Sequence, residues 1–208
     1  MIFSITRPSN KPVKRLSLYL FLIFFTLQTP SLADDIRDFQ IEGMSVGGSL
    51  LEYMSQTEIT NNHVNMYHPK SKFIVINYPK TNIYEYLYIY VKRNDENYKI
   101  HLLRGMNQVK NKSSCLKNKK EIVQVLKSLF TNATFHETKQ NHYYYKKAKQ
   151  YISQFEFGKE GKYSDGARVE CLIISKEEQK KYNIFSTLEV IIQYGDEVQR
   201  WLESGDAR

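Results

Sequence analysis

The 208 residues hold 30 Lys and Arg against 22 Asp and Glu, a formal charge of +8. Arg7, Lys11, Lys14 and Arg15 all precede position 34 with no acid among them, so the rest of the chain carries a formal +4. That remainder is one domain's worth of sequence, and at about 150 residues roughly 70% of the unfolded surface is buried, enough for a core without a metal or many disulfides.

The basic start leads into an apolar run over residues 16–27, which Pro30 breaks, and Ser31 and Ala33 place small side chains where a signal peptidase reads them. This is the pattern of a secretory signal. Residues 1–33 are therefore expected to be a cleaved signal peptide and residues 34–208 a single periplasmic domain. A spanning helix needs roughly 20 apolar residues. The run falls short of that and no later stretch approaches it, so no transmembrane segment is expected after cleavage. No cysteine adjoins the cleavage position, which argues against a lipoprotein.

Ser45 is a plausible N-cap for a helix with Val46, Leu50, Tyr53 and Met54 at helical spacing, although Gly47 and Gly48 each weaken its first turn by about 1 kcal/mol. Residues 73–78 form the first expected strand. The second, over 84–92, has the clearest pattern in the chain: Tyr84, Tyr86, Tyr88 and Tyr90 alternate with Glu85, Leu87, Ile89 and Val91, which places the tyrosines on one face. A turn at 93–97 closes a hairpin with a third strand over 98–103.

Ser113 or Ser114 is expected to cap the next helix, whose Ile122, Leu126, Leu129 and Phe130 form an apolar stripe broadened by Val123 and Val125. Residues 131–149 are polar and irregular apart from Tyr143, Tyr144 and Tyr145. Strands are expected again at 151–157, 168–175 and 188–194, and a closing helix at 196–203 with Val198, Trp201 and Leu202 on one face. The fold class is α+β: two successive units, each a helix and a three-stranded antiparallel meander, then a short C-terminal helix.

Cys115 and Cys171 are the two cysteines. In an oxidising compartment the simplest reading is a disulfide, stapling helix to sheet. Its loop of about 57 residues is worth roughly 4 kcal/mol at most on chain-entropy grounds. A catalytic thiol would need a neighbouring base, and neither local sequence supplies one.

Other chemistry leaves little trace. His63, His68, His101, His136 and His142 make no HExxH or close ligand pair, so neither metal nor cofactor is expected. GxxxxGK[ST], GxGxxG and GxSxG are absent. The lysines are scattered. Lys117, Lys119, Lys120 and Lys127 lie along one helix, while Lys146, Lys147 and Lys149 follow the tyrosine run. With an exported address they read as solvated faces, and nucleic acid is not an expected partner.

Residues 38–55, Asp-Phe-Gln-Ile-Glu-Gly-Met-Ser-Val-Gly-Gly-Ser-Leu-Leu-Glu-Tyr-Met-Ser, directly follow the leader. With the helix marked by Cys115, Lys120, Glu121, Ile122, Leu126 and Phe130, the strand Val169-Glu170-Cys171, and Trp201-Leu202, they resemble a group of small exported proteins from AT-rich marine alphaproteobacteria of the Pelagibacterales type. That resemblance covers most of residues 34–208. It implies a periplasmic address and no activity. The first half alone looks like outer-membrane assembly lipoproteins of the BamE type, but lacks their lipidation cysteine.

The functional expectation is a non-catalytic module that binds a small ligand or an envelope protein, with the Tyr84, Tyr86, Tyr88 and Tyr90 face as its surface. Flat aromatic platforms bind sugars or aromatic ligands, and tyrosine is enriched at interfaces. The competing readings are that the rings simply pack in cross-strand pairs, or that the chain is an envelope enzyme, hydrolase-like, with a site assembled from distant residues.

Overall fold

The computed structural model describes residues 35–64, 70–157, 165–195 and 197–204. The leader expected at 1–33 lies outside them. Eight strands, β1 (His63–Val64), β2 (Phe73–Asn77), β3 (Tyr86–Lys92), β4 (Ile100–Gln108), β5 (Thr134–Asn141), β6 (Lys149–Phe157), β7 (Asp165–Ile173) and β8 (Thr187–Gln193), form one sheet in the order β1-β2-β3-β4-β8-β7-β6-β5. Every neighbouring pair is antiparallel. Among the described residues four α-helices accompany them: α1 (Gln56–Asn61), α2 (Lys112–Leu129), α3 (Lys176–Tyr182) and α4 (Glu197–Ser204). The class is α+β, dominated by sheet.

Each half is a four-stranded meander rather than the expected three. The first runs from one edge to the centre, α2 carries the chain to the opposite edge, and the second runs back to the centre, where β8 pairs with β4. The extra strand of the second half is β5, inside the segment read from sequence as irregular. Its side chains are almost all exposed, because it has a single neighbour. An edge strand of this kind carries no apolar alternation to betray it, and charged edge residues discourage pairing with other chains.

The helix expected from Ser45 is replaced by turns. Gly43 and Gly47 have φ of +81° and +86°, left-handed values that glycine adopts without a Cβ clash. The Gly47 N–H donates to the Ile100 carbonyl, and the Ile100 N–H to that of Gly48. Residues 47–50 are thus pinned to the start of β4, and only a 3₁₀ turn at Leu50–Glu52 forms, capped by Ser49. The α-helix starts later, at Gln56, with a capping box between Ser55 and Glu58.

Alternation along the strands gives the sheet two distinct faces. One is apolar. Cys171, Val169, Val190, Leu103, Leu87 and Ile89 share it by register, and α2 together with Phe39, Ile41, Met44 and Leu50 of the N-terminal segment packs over it. The Phe39 and Phe130 rings meet edge-on at 5.4 Å, and Phe130 meets Phe155 at 5.6 Å. Cys115 on α2 and Cys171 on β7 form the expected disulfide, with Cα atoms 6.0 Å apart. Asn111 caps α2, not Ser113 or Ser114: its side chain accepts from the Ser114 N–H at 2.9 Å.

The buried stripe of α2 is Cys115, Lys119, Val123 and Leu126. Lys119 was expected on a solvated face. Instead its ammonium reaches Ser153 Oγ and Glu137, on the two strands beneath. Ser153 is fully buried and donates to Glu137 at 2.8 Å, so this serine–lysine contact is a helix-to-sheet staple closed to substrate.

On the second face α4 lays Val198 and Trp201 against Phe73, Val75, Tyr90, Leu102 and Ile191. Its first residue, Glu197, pairs with Lys72 and Lys92. Burial alone would push the Glu197 carboxyl up, but hydrogen bonds from the two lysines hold it at about 2.

Two outcomes follow from these contacts. Replacing Cys115 and Cys171 by Ala frees a loop with a sequence separation of 56; urea unfolding is expected to show a loss approaching 4 kcal/mol, and an unchanged midpoint would refute the stapling role. The Glu197 pKa is depressed in the folded state, so its contribution is fully present above about pH 4.5 and disappears as pH falls towards 2. Trp201 is the single tryptophan and reports on α4. Its fluorescence is expected to shift over that acidic window in the native chain and to lose the shift in Glu197→Gln.

Candidate functional site

Strand register brings charge together on the second face. Glu170 of β7 stands directly opposite Glu189 of β8, and Arg104 and Arg168 flank them, each opposite Ile191. Like charges directly opposite on a sheet repel, and burying a carboxylate is costly unless it is paired. Both glutamates are nevertheless almost wholly buried, at 3% and 1% exposure.

The neighbours explain how. Arg104 donates through Nε and Nη2 to Glu189 Oε2, both at 2.8 Å. Thr187 Oγ1 donates to Glu189 Oε1 at 2.6 Å. Gln150 Nε2 donates to Glu170 Oε1 at 2.6 Å, and Arg168 Nε lies 3.5 Å from Glu170 Oε2. Three of the four carboxylate oxygens thus accept hydrogen bonds, whereas Glu170 Oε2 has only the ion-pair contact with Arg168, whose buried Nε makes no hydrogen bond among the described residues. Burial pushes the Glu170 carboxyl up against the pull of Arg168, and Glu189 adds to the rise. Arg104 is held charged despite its burial because Glu189 faces it and the Tyr90 hydroxyl bonds it. Unlike the glutamates, the two arginine side chains remain about one-third open to solvent.

The four tyrosines singled out from sequence separate here. Tyr84 lies ahead of β3, and its ring packs over Gly105 on the apolar face; a Cβ at 105 would come within 2.5 Å of that ring. Burial drives its hydroxyl well above the ordinary phenol range. Tyr90 is on the second face but lies under α4 and braces Arg104. Tyr86 and Tyr88 remain half-buried, side by side, with rings 6.2 Å apart and only 13° from parallel. Tyr88 stands opposite Arg104, and Tyr86 opposite Met106, whose other neighbour is Glu189.

These groups share one patch of the second face, called the cradle below. Its floor is Tyr86, Tyr88, Arg104 and Arg168 over the buried glutamates, and α4 closes one end. At the other, the hairpin between β5 and β6 brings His142 and Tyr145 within electrostatic reach of Arg104. Burial lowers the His142 imidazole and raises the Tyr145 hydroxyl, so both are neutral near pH 7. Chemically the cradle offers aromatic faces for stacking and fixed guanidinium donors for oxygen acceptors. Among the described residues no group of three or more His, Cys, Asp and Glu side chains converges as a metal site.

The charged residues of the cradle were missed in the sequence. Arg168 and Glu170 alternate with the apolar residues of a strand, and Arg104 and Glu189 belong to no motif. Each lies alone in its own strand, and only the pairing of β4 with β8 assembles them. The signal available was a charge at mid-strand in otherwise apolar runs.

No family model, curated protein or solved structure matches the chain.

The Arg104–Glu189 pair should behave as a mostly buried ion pair. Glu189→Gln leaves the guanidinium without its counter-charge and is expected to cost about 2 kcal/mol, less than the roughly 3–5 of a fully buried pair because the Arg104 side chain keeps contact with water. The double change Arg104→Met with Glu189→Leu should recover most of that loss in urea unfolding. A single change costing nothing measurable would show that the pair contributes no structure to the cradle.

Proposed function

We propose that the chain is a non-catalytic binding module of the cell envelope, and that its cradle holds a small cyclic polyol such as a short oligosaccharide. The observation that carries this reading is the pair of near-parallel, half-buried rings, Tyr86 and Tyr88, next to a partly open Arg104 side chain locked by the buried Glu189. Sugar rings present an apolar face that stacks on aromatic side chains and an edge of hydroxyls that accept from Arg. Because Glu189 and Thr187 hold Arg104 in place before any ligand arrives, binding does not have to order it.

The exported address is part of the proposal. The disulfide between Cys115 and Cys171 supports it, since such bonds persist in oxidising compartments. No helix among the described residues is long and apolar enough to cross a membrane. The likeness to small exported alphaproteobacterial proteins points the same way.

One observation favours the alternative of a hydrolase-like enzyme: two carboxylates on adjacent strands, with Glu170 raised by burial. Two-carboxylate hydrolysis needs both groups to reach substrate. Glu170 and Glu189 are 97% and 99% shielded and bonded to Gln150 and Thr187, which favours binding over catalysis.

Titration with soluble β-linked glucose and N-acetylglucosamine oligomers, followed by chemical-shift changes, tests the reading. Saturable shifts are expected at Tyr86, Tyr88 and Arg104, and Tyr86→Ala with Tyr88→Ala should weaken binding about tenfold with little change in the unfolding midpoint. If the double variant unfolds, the rings belong to the core and the platform is wrong. Release of reducing ends during the titration would support the enzyme instead.

A further inference from the structure

Among the described residues, the exposed large apolar and aromatic side chains are not spread over the surface. Leu51 stands elsewhere, while Tyr143, Tyr144, Tyr182 and Phe185 gather at one end, where the β5–β6 hairpin meets α3. Tyr143 and Tyr144 are 75% and 65% exposed. Tyr144 and Tyr145 meet edge-on at 5.0 Å, and Tyr182 lies 6.3 Å from Tyr144 and 5.6 Å from Tyr145. Beneath them Tyr145 and Ile184 pack on Ala148, Leu172 and Ile174.

The hairpin tip is a constructed turn. His142 Nδ1 accepts from the N–H groups of both Tyr144 and Tyr145 at 3.1 Å, the His142 N–H donates to the Ala148 carbonyl, and the Lys147 N–H donates to Glu178. Tyr143 and Tyr144 are therefore held outward by backbone geometry. Large aromatic side chains presented to water need a reason when they cluster.

The rim is cationic. Lys146, Lys147, Lys149, Lys176, Lys180 and Lys181 are all exposed. Within residues 142–149 and 176–185 the acids are Glu177, which pairs with Lys147, and Glu178, which is buried. These two segments carry a formal +4, the same as the whole chain beyond residue 33.

We propose that this end of the molecule docks on the surface of an anionic phospholipid bilayer. Three features favour lipid over another occupant. Tyrosine settles at the headgroup level, its ring towards the acyl boundary and its hydroxyl in water. Lysines surrounding such rings place their stems along the apolar layer and their ammonium groups among phosphates. Both segments contain lysine and no arginine. A peptide or a sulfated glycan with fixed anion spacing is best gripped by guanidinium forks, whereas a fluid headgroup layer needs only point charges. This contact is peripheral and independent of any ligand in the cradle.

Co-sedimentation with vesicles tests it, using the protein as purified from expressing cells. Vesicles of equal parts phosphatidylglycerol and phosphatidylcholine are compared with pure phosphatidylcholine. Partitioning should favour the anionic vesicles by at least about tenfold and fall as salt is raised. Lys180→Glu with Lys181→Glu should remove about tenfold or more of that preference, and Tyr143→Ala with Tyr144→Ala a few-fold. Lys117→Glu, on the exposed side of α2, should leave it unchanged. Circular dichroism confirms that each variant is folded. Equal binding to both vesicles, or variants that bind like the parent, would overturn the proposal. So would retention by soluble dextran sulfate without binding to vesicles, which would make the surface one for anionic polymers.

Discussion

The pairing of β4 with β8 is the constraint on which the rest of this structure depends. It joins residues 102–108 to 187–193, strands far apart in the chain that each end a meander. Either meander alone would expose a central strand edge with its row of unpaired backbone groups. Together they turn two four-stranded pieces into one sheet whose outer edges are the short β1 and the charged β5. Such distant pairing is entropically costly to form, and the structure supports it from both sides. The α2 crossover and its disulfide hold the second meander on the apolar face, while α4, which directly follows β8, reaches over β2, β3 and β4 on the other.

The same pairing decides where chemistry sits. On the apolar face, register stacks Leu103 with Val190 and Ile192, and the helix covers them. On the other it sets Arg104 beside Glu189 and Glu170, a row no core would choose on hydrophobic grounds. Replacing buried ion pairs by packed apolar residues is often neutral or stabilising, so stability alone is a weak reason for keeping four charges here. The row is also partnered by side chains, Arg104 and Thr187 on Glu189 and Gln150 on Glu170. What it achieves structurally is to hold two guanidiniums at a half-open surface beside two tyrosine rings. That is why the cradle, and not the serine–lysine contact under α2, is read as the site.

Much of this was legible in sequence where one element contains its own signal. The alternation in β3 correctly separates Leu87, Ile89 and Val91 from Tyr86, Tyr88 and Tyr90. The α2 helix, the helix-to-sheet disulfide and the closing α4 with Val198 and Trp201 are local patterns and emerge as expected. What failed depended on partners. Tyr84 obeys the period of two on paper, but the strand starts at Tyr86, and its ring instead fills the space left by Gly105 across the pair. Tyr90 continues the tyrosine face until α4 covers it. Lys119 fits a solvated pattern until Ser153 and Glu137 are brought beneath it. β5 is polar because an edge strand has little to bury, and α3 is a short charged helix with no apolar stripe. The cradle charges were invisible for the same reason: one per strand, united only by a strand order that sequence periodicity does not encode.

The hairpin between β5 and β6 links the two surfaces of the molecule. Residues 142–145 form one turn, yet their side chains diverge: His142 and Tyr145 are half-buried beside the cradle, whereas Tyr143 and Tyr144 point to solvent. The divergence follows from the turn's bonding. A single imidazole nitrogen accepts from two successive N–H groups, which fixes the backbone around it and leaves each side chain one direction to take. The turn has little freedom of its own, since the Lys147 N–H is tied to Glu178 and Ala148 is buried under Ile174 and Leu172. A force applied at the exposed rings is therefore transmitted to His142 and Tyr145 rather than absorbed by a loose loop. Packed, hydrogen-bonded elements carry coupling between sites in this way only when they have two arrangements to choose between. Here the bonding defines one arrangement, so the expected consequence is rigidity: the rings at the tip and the open end of the cradle keep a fixed relation whichever of them is occupied.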